Sequence, residues 1–131
     1  PGDPEINTLK PFKTGIIAKA KELNWNHIIK AMKNVVHSIH GTARSINKNR
    51  PYKIAGKTGT AQVFGIKQDE KYIKEDIAAR LRDHALFIAF APADDPQIAI
   101  AVIVENGGSG GSVAAPIAGK VIDYYLSGHS L

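Results

Sequence analysis

The chain has 131 residues, of which 44% are hydrophobic and 22% charged, and this length suffices for one compact domain with a hydrophobic core. It contains no cysteine, which excludes disulfides and cysteine-based metal clusters, and its apolar runs are too short to cross a bilayer. The formal net charge of +5 is concentrated in the first half of the chain. No aromatic residues interleave with the basic residues Lys30, Lys33, Lys48 and Arg50 as in a single-strand binder, so we expect a solvated face and no nucleic-acid partner.

The chain is predicted to begin with a connector over residues 1–23. Residues 1–16 are rich in proline and glycine, and a short amphipathic stretch follows at Ile16–Leu23. A helix is predicted from about Trp25 to His37, with Asn24 able to cap its start and Gly41 able to end it. We expect its apolar stripe, which repeats at helical spacing, to lie in the core; the stripe consists of Trp25, Ile28, Ile29, Met32, Val35 and Val36.

Three strands are predicted after this helix. The polar segment Gly41–Pro51 is expected to be a loop, and a short helix is expected near Glu75–Arg82 within a longer polar stretch. Apolar and β-branched runs bounded by turn residues indicate strands. These runs are Tyr52–Val63, His84–Ala91 and Gln97–Glu105, the last two joined by the turn Pro92-Ala93-Asp94-Asp95-Pro96.

A glycine-rich loop, Asn106–Ser112, and a final helix complete the chain. The helix is predicted to start near Ala114–Pro116, since proline is tolerated in a first turn. Because strands joined by a short turn are antiparallel, the order of elements predicts an α/β fold of the α+β type, an antiparallel sheet packed against helices. The buried face of the final helix is predicted to comprise Ile117, Val121, Ile122, Tyr125 and Leu126.

Two glycine-rich segments resemble nucleotide-binding loops but lack residues that such loops need. Ala55-Gly56-Lys57-Thr58 ends like a phosphate-binding loop, yet Pro51 stands where glycine is required and a strand follows instead of a helix. Gly108–Val113 lies between a strand and a helix, but Val113 replaces the third small residue of a dinucleotide fingerprint. We therefore predict no nucleotide or other cofactor.

Three polar clusters are interpreted as structural. His37 and His40 have no cysteine or acidic cluster to complete a metal set, so we expect surface histidines and no metal site. Asp83-His84 is expected to form a local charge and hydrogen-bond cluster where a strand begins, and not an acid–base pair. Ser45-Ile46-Asn47-Lys48 matches the Ser-x-x-Lys pattern of serine acyl-transfer enzymes. It lies in a basic loop only nine residues before Lys57, not at the start of a helix, and we interpret the match as a coincidence.

The segment Lys57-Thr58-Gly59-Thr60 offers the chemistry of a peptide-binding site. It lies in the middle of a predicted strand, where Thr58 and Thr60 point to one face and Gly59 lets a ligand backbone approach closely. An edge strand can accept an extended peptide as an added strand. A cation with two hydroxyls beside it suits a peptide that ends in a carboxylate.

In its wider context this segment is similar to the C-terminal part of the transpeptidase domain of class B penicillin-binding proteins, in particular their elongation type. The resemblance covers nearly all of residues 24–126, and its blocks stand in the family's order and spacing. They are Val35-Val36 with Gly41-Thr42-Ala43, then residues 51–65 around the lysine-threonine-glycine triplet, then Arg80–Pro92, and then Val104-Glu105-Asn106-Gly107-Gly108.

The resemblance implies a role for each residue of the motif in a serine D,D-transpeptidase that cross-links peptidoglycan stem peptides and is acylated by β-lactams. Lys57 is the implied catalytic residue, which supports proton transfer in the cleft. Thr58, Gly59 and Thr60 are the implied substrate-binding residues. The two threonines hold the terminal carboxylate of a D-Ala-D-Ala peptide or of a penicillin, and the Thr60 amide is one oxyanion donor. The implied fold is part of the penicillin-binding transpeptidase and serine β-lactamase-like fold.

The chain departs from the family in one respect. The family's serine nucleophile and its Ser-x-Asn motif lie upstream of the lysine-threonine-glycine motif, the nucleophile by about two hundred residues, whereas 56 residues precede Lys57 here. We therefore expect residues 1–131 to be the C-terminal portion of a D,D-transpeptidase domain without its nucleophile, with residues 1–23 as the connector and 24–131 as the sheet and helices. We expect this portion to be inactive alone.

The resemblance also implies a location and partners for the parent protein. It places the parent at the periplasmic face of the bacterial inner membrane, where its ligands are stem peptides and β-lactams. Its protein partners are cell-wall elongation proteins, and this chain's partner is the missing part of the domain. Two alternatives remain open at this stage: a fragment of a β-lactamase or β-lactam sensor, and a non-enzymatic basic interaction module.

Overall fold

The computed structural model describes residues 22–63 and 82–128. Residues 1–21 of the predicted connector over 1–23, with most of the amphipathic stretch Ile16–Leu23, lie outside the described residues. So does most of the predicted helix Glu75–Arg82. The helices are α1 (Glu22–His37), a 3-10 turn (Arg44–Ile46), a π-helical turn (Gly110–Ala114) and α2 (Ala115–Leu126); the strands are β1 (Ala55–Ala61), β2 (His84–Ala91) and β3 (Ile98–Val104).

The three strands form one antiparallel sheet in the order β1-β2-β3, which confirms the predicted fold class. In the register of this sheet, Thr58 lies opposite Phe87, and Phe87 lies opposite Val102. The predicted hairpin turn connects β2 to β3, and its Gln97 amide donates to the Ala91 carbonyl at 2.9 Å.

Strand β1 is shorter than the predicted Tyr52–Val63. It begins at Ala55 because the backbone before it is bonded elsewhere. The Lys53 carbonyl accepts from the Ala93 amide at 2.8 Å, and the Ile54 amide donates to the ring of His37 at 3.1 Å. The residues before Ala55 are therefore tied to the β2–β3 turn and to α1 instead of to the sheet ladder.

The core lies where the sheet meets the π-helical turn and α2. Four of its side chains are both large and fully buried, and they come from α1, the segment before β1, strand β2 and α2. Burial of such side chains is the main stabilising term in folding, about 1.5–3 kcal/mol each. They are Val36, Ile54, Phe87 and Ile122.

The predicted buried face of α2 is wrong for three of its five residues. Ile117 and Val121 are each 43% exposed and Tyr125 is 55% exposed, whereas Ile122 is buried and Leu126 packs partly buried against the core, as predicted. Small residues make up the rest of the face that packs inward, because they let the helix approach its neighbours closely. A Cβ added at Gly119 would lie 3.5 Å from Arg50 and Ile46. The buried residues of α2 are Ala115, Ala118, Gly119 and Ile122.

The apolar stripe of α1 is only partly in the core. Val36 is fully buried, but Trp25 and Ile28 are each 48% exposed. The helix begins at Glu22, so Asn24 lies inside it and does not cap its start. Neither α1 nor α2 is long and apolar enough to cross a membrane.

Candidate active site

The four residues of the predicted site lie on β1, which is an edge strand of the sheet formed by residues 22–63 and 82–128. Lys57 and Thr60 are exposed, and Thr58 and Gly59 are partly buried. Thr58 and Thr60 lie opposite the buried residues Phe87 and Ala85. The two threonines are therefore on the face of the sheet that packs against the core. They lie in the part of β1 where the strand becomes exposed.

Lys57 contacts its own strand. Its Nζ donates to the carbonyl of Thr58, and its side chain is exposed. Lys57 lies opposite Ile88, which is 53% exposed. Lys57 therefore starts from the face of the sheet opposite to the two threonines, and its ammonium group lies against the backbone of Thr58 while the side chain remains open to solvent.

Thr58 is fixed by a residue that the sequence analysis did not identify as part of the site. Its Oγ1 lies 3.0 Å from the Oγ1 of Thr42, which precedes it by 16 residues in the turn after α1. Gly41-Thr42-Ala43 was noticed only as one block of the family resemblance. A hydrogen bond across that distance leaves no periodic signal in a sequence, so only the fold reveals it.

The glycine-rich segment that follows β3 packs directly behind the predicted site. A Cβ added at Gly110 would overlap the carbonyl oxygens of Leu86 and Gly59. A Cβ added at Gly111 would overlap the Thr42 carbonyl and lie 3.5 Å from Thr58 Cγ2. Asn106–Ser112 is predicted to be a glycine-rich loop, but residues 110–114 form a π-helical turn. The close approach of these backbones requires glycine at positions 110 and 111.

The Ser45–Lys48 tetrad is engaged in structural contacts. Ser45, on the 3-10 turn, donates from Oγ to the Gly111 carbonyl at 3.3 Å. Asn47 Oδ1 lies 2.9 Å from His37 Nδ1. These bonds tie the segment between α1 and β1 to the glycine-rich segment and to α1.

His37 is not the surface histidine that we expected. It is partly buried, and its Nε2 accepts from the Ile54 amide at 3.1 Å. Because Nε2 accepts a hydrogen bond, the proton of the neutral ring is on Nδ1, which donates to Asn47. His37 therefore connects the end of α1 to the residue before β1.

A second cluster joins the same region to α2. Arg50 forms a bidentate pair with Asp123, and Tyr52 donates to Asp123 Oδ1 at 2.6 Å. Hydrogen bonding to Arg50 lowers the pKa of Asp123 below its usual range, and the bond to Asp123 raises the pKa of Arg50. Burial, followed by the hydrogen bond to Asp123, raises the pKa of Tyr52 to about 12.

Of the predicted charge and hydrogen-bond cluster at Asp83-His84, the structure shows the hydrogen bonds, whereas the buried Asp83 Oδ1 has no hydrogen-bond partner among the described residues. His84 Nδ1 accepts from the Asn106 amide at 2.9 Å, and the Asp83 carbonyl accepts from the Gly108 amide at 2.7 Å. These bonds close the end of the sheet from which the glycine-rich segment departs. Within residues 22–63 and 82–128, no cluster of three or more His, Asp or Glu side chains is placed to hold a metal ion.

Residues 18–123 match the family described as Penicillin binding protein transpeptidase domain. The chain is 44% identical over 124 residues to the peptidoglycan D,D-transpeptidase MrdA of Haemophilus influenzae, covering 95% of this chain and 17% of that protein. It is 52% identical over 103 residues to MrdA of Acinetobacter baumannii, covering 79% of this chain and 15% of the relative.

Solved structures give the same result. The structure of Pseudomonas aeruginosa PBP2 in complex with WCK 5153 is 48% identical, with a TM-score of 0.64 over 79% of this chain and 19% of that chain. PBP2 of Helicobacter pylori, in a complex with MreC, is 26% identical, with a TM-score of 0.68 over 95% of this chain and 21% of that chain. This chain thus spans less than a quarter of the length of these relatives.

Proposed function

Because the chain belongs to the penicillin-binding protein transpeptidase domain family, we propose that it forms the substrate-binding side of the active-site cleft in a peptidoglycan D,D-transpeptidase of the elongation type. The observation that carries this proposal is the placement of Lys57–Thr60 on an edge strand of the described sheet, where the Lys57 ammonium donates to the Thr58 carbonyl, inside the matched part of the chain.

The chemistry of the strand suits a stem peptide that ends in D-Ala-D-Ala. The hydroxyls of Thr58 and Thr60 donate to the terminal carboxylate, which only accepts hydrogen bonds. Gly59 carries no side chain, so the peptide backbone can approach β1 closely. The unpaired edge of β1 then bonds the peptide as an added strand.

In the proposed reaction a serine outside this chain attacks the carbonyl of the penultimate D-Ala. The peptide bond breaks, the terminal D-Ala leaves as an amine, and an acyl-enzyme ester remains for the amine of a second stem peptide. Lys57 assists proton transfer at the serine, and the Thr60 amide stabilises the oxyanion. A β-lactam acylates the same serine by opening its ring. The nucleophile, its lysine and the Ser-x-Asn motif come from the part of the domain that precedes this chain.

Partners and location follow from the same proposal. The Helicobacter pylori relative was solved with MreC, and we propose that the protein containing this chain also works with proteins of the cell-wall elongation machinery. We place it at the periplasmic face of the inner membrane, where its substrate is found. The relatives named above are transpeptidases, so they favour this function over a β-lactamase, a β-lactam sensor or a basic interaction module.

Labelling with a fluorescent penicillin tests this proposal. The full-length protein that contains this chain is expected to form a stable adduct, and the 131-residue chain alone is not. Thr58→Val in the full-length protein should slow acylation about 10- to 100-fold, because a hydrogen bond to a charged group contributes about 1.5–3 kcal/mol. Thr58→Ser, which keeps the hydroxyl, is the matched control. An unlabelled full-length protein, or an adduct on Ser45 of the chain alone, contradicts the proposal.

A further inference from the structure

The side chain of Thr58 is held from two sides. Its hydroxyl lies 3.0 Å from the hydroxyl of Thr42. Its methyl group faces Gly111, where an added Cβ would lie 3.5 Å from Thr58 Cγ2. One rotamer of Thr58 is therefore selected, with the hydroxyl directed toward Thr42 and the methyl toward the glycine-rich segment.

Thr42 is itself anchored by its backbone. The next residue, Ala43, is fully buried, and its amide donates to the Val35 carbonyl at 2.9 Å. The Thr42 carbonyl packs so closely on Gly111 that no side chain fits there. Since Ser45 also donates to the Gly111 carbonyl, the turn that carries Thr42 is fixed both to α1 and to the glycine-rich segment.

The direction of the bond between the two hydroxyls follows from the chemistry of a bound carboxylate. Each hydroxyl has one proton to donate, and an ionised carboxylate only accepts. When Thr58 donates its proton to the carboxylate, its oxygen is left to accept from Thr42. Hydrogen bonds in such a chain polarise one another, so the donation from Thr42 makes Thr58 a stronger donor to the ligand.

We propose that Thr42 is a positioning residue for carboxylate recognition. Its hydroxyl fixes the Thr58 rotamer and donates a hydrogen bond to Thr58 Oγ1, so that the proton of Thr58 is available for the ligand. This inference rests on the proposed function, since it takes the bound group to be the terminal carboxylate of a stem peptide or a β-lactam. Thr42 acts through Thr58 and need not touch the ligand.

The test is the acylation rate constant of the full-length protein with a carboxylate-bearing penicillin. Thr42→Val keeps the shape of the side chain but removes its hydroxyl, and acylation should slow about 3- to 10-fold, the range of one neutral hydrogen bond. Thr42→Ser retains the hydroxyl and should restore most of the rate. Ser112→Ala removes a hydroxyl from an exposed residue of the neighbouring glycine-rich segment and should leave the rate unchanged.

A double-mutant cycle separates positioning from a general structural effect. If Thr42 acts through Thr58, Thr42→Val should add little further loss in a Thr58→Val background. The inference is overturned if Thr42→Val reacts like the wild type, if Thr42→Ser is as slow as Thr42→Val, or if the losses from Thr42→Val and Thr58→Val are additive. Failure of the wild-type protein to react at all is a different outcome, which contradicts the proposed function itself.

Discussion

The first two residues of strand β1 differ from the five that follow in burial and in contacts. Ala55 and Gly56 are buried, and the segment before them is bonded to His37, to the β2–β3 turn and, through Tyr52, to α2. From Lys57 to Ala61 every residue is partly or fully exposed. We call Ala55 and Gly56, with the segment before them, the anchor, and Lys57–Ala61 the proposed binding surface. The anchor holds the strand that carries the exposed motif, so it also maintains the geometry of that motif.

Substitutions at the two glycines of β1 test most directly whether the anchor and the binding surface contribute differently to stability. An added Cβ at Gly56 would lie 2.6 Å from the ring of the fully buried Phe87, whereas one at Gly59 would lie 3.2 Å from Leu86 Cβ. Gly56→Ala should therefore destabilise the protein by about 1–3 kcal/mol, the usual cost of overpacking a core. Gly59→Ala should cost less than half of that, because the partly exposed Leu86 can shift.

Urea unfolding of both variants measures this difference. In the full-length protein, Gly59→Ala should instead slow acylation by penicillin, because its methyl group hinders the approach of a ligand backbone. Equal loss of stability in the two variants would show that the strand does not divide into an anchor and a binding surface.

His37 tests the anchor without changing the core. Ile54 is fully buried, and its amide donates to His37 Nε2. Removing a buried acceptor leaves its donor unsatisfied, so His37→Ala should lower the free energy of unfolding by about 1–2 kcal/mol. Asn47→Ala is the matched control, since it removes only the exposed partner of Nδ1 and should cost no more than about 0.5 kcal/mol. Similar losses in both variants would contradict the role assigned to Nε2.

The sequence predicted the strands of the molecule better than the packing of its last helix. Strand β2 has the bounds that its apolar run and Pro92 indicated, and Lys57–Thr60 lies within a strand as expected. Both features depend on local pattern. The buried face of α2 was predicted from its large residues, yet Ala115, Ala118 and Gly119 pack inward. A helix that packs closely against its neighbours needs small side chains at the contact. A prediction based on large hydrophobic residues overlooks such positions.

The contacts that complete the site lie between segments far apart in the chain. Thr42 meets Thr58 across 16 residues, and Gly110 packs on Gly59 although β2 and β3 separate them. Composition and periodicity describe residues that are close along the chain. They therefore indicate a glycine-rich loop, but not that its glycines pack against the backbones of Gly59 and Thr42. The motif was therefore visible in the sequence, and its support was visible only in the fold.

The smallest effect is expected at Tyr52, where the anchor meets α2. Burial and the bond to Asp123 raise its pKa from 10.0 to about 12, so the folded state holds the phenol proton more tightly than the unfolded state does. The stabilisation is fully present below pH 10 and is lost as the pH rises from 10 toward 12. Because Tyr52 and Asp123 are both partly exposed, it amounts to no more than about 1 kcal/mol.

Tyr52→Phe should accordingly be less stable than the wild type near neutral pH and should approach it in stability above pH 10. Urea unfolding across that range measures the difference in stability. Because the chain has four tyrosines, the difference in near-ultraviolet tyrosinate absorbance between the wild type and Tyr52→Phe follows the proton of Tyr52. Tyr125→Phe changes a residue that is 55% exposed and should show no such convergence. A stability gap between Tyr52→Phe and the wild type that stays constant with pH would mean that the phenol does not hold its proton through Asp123.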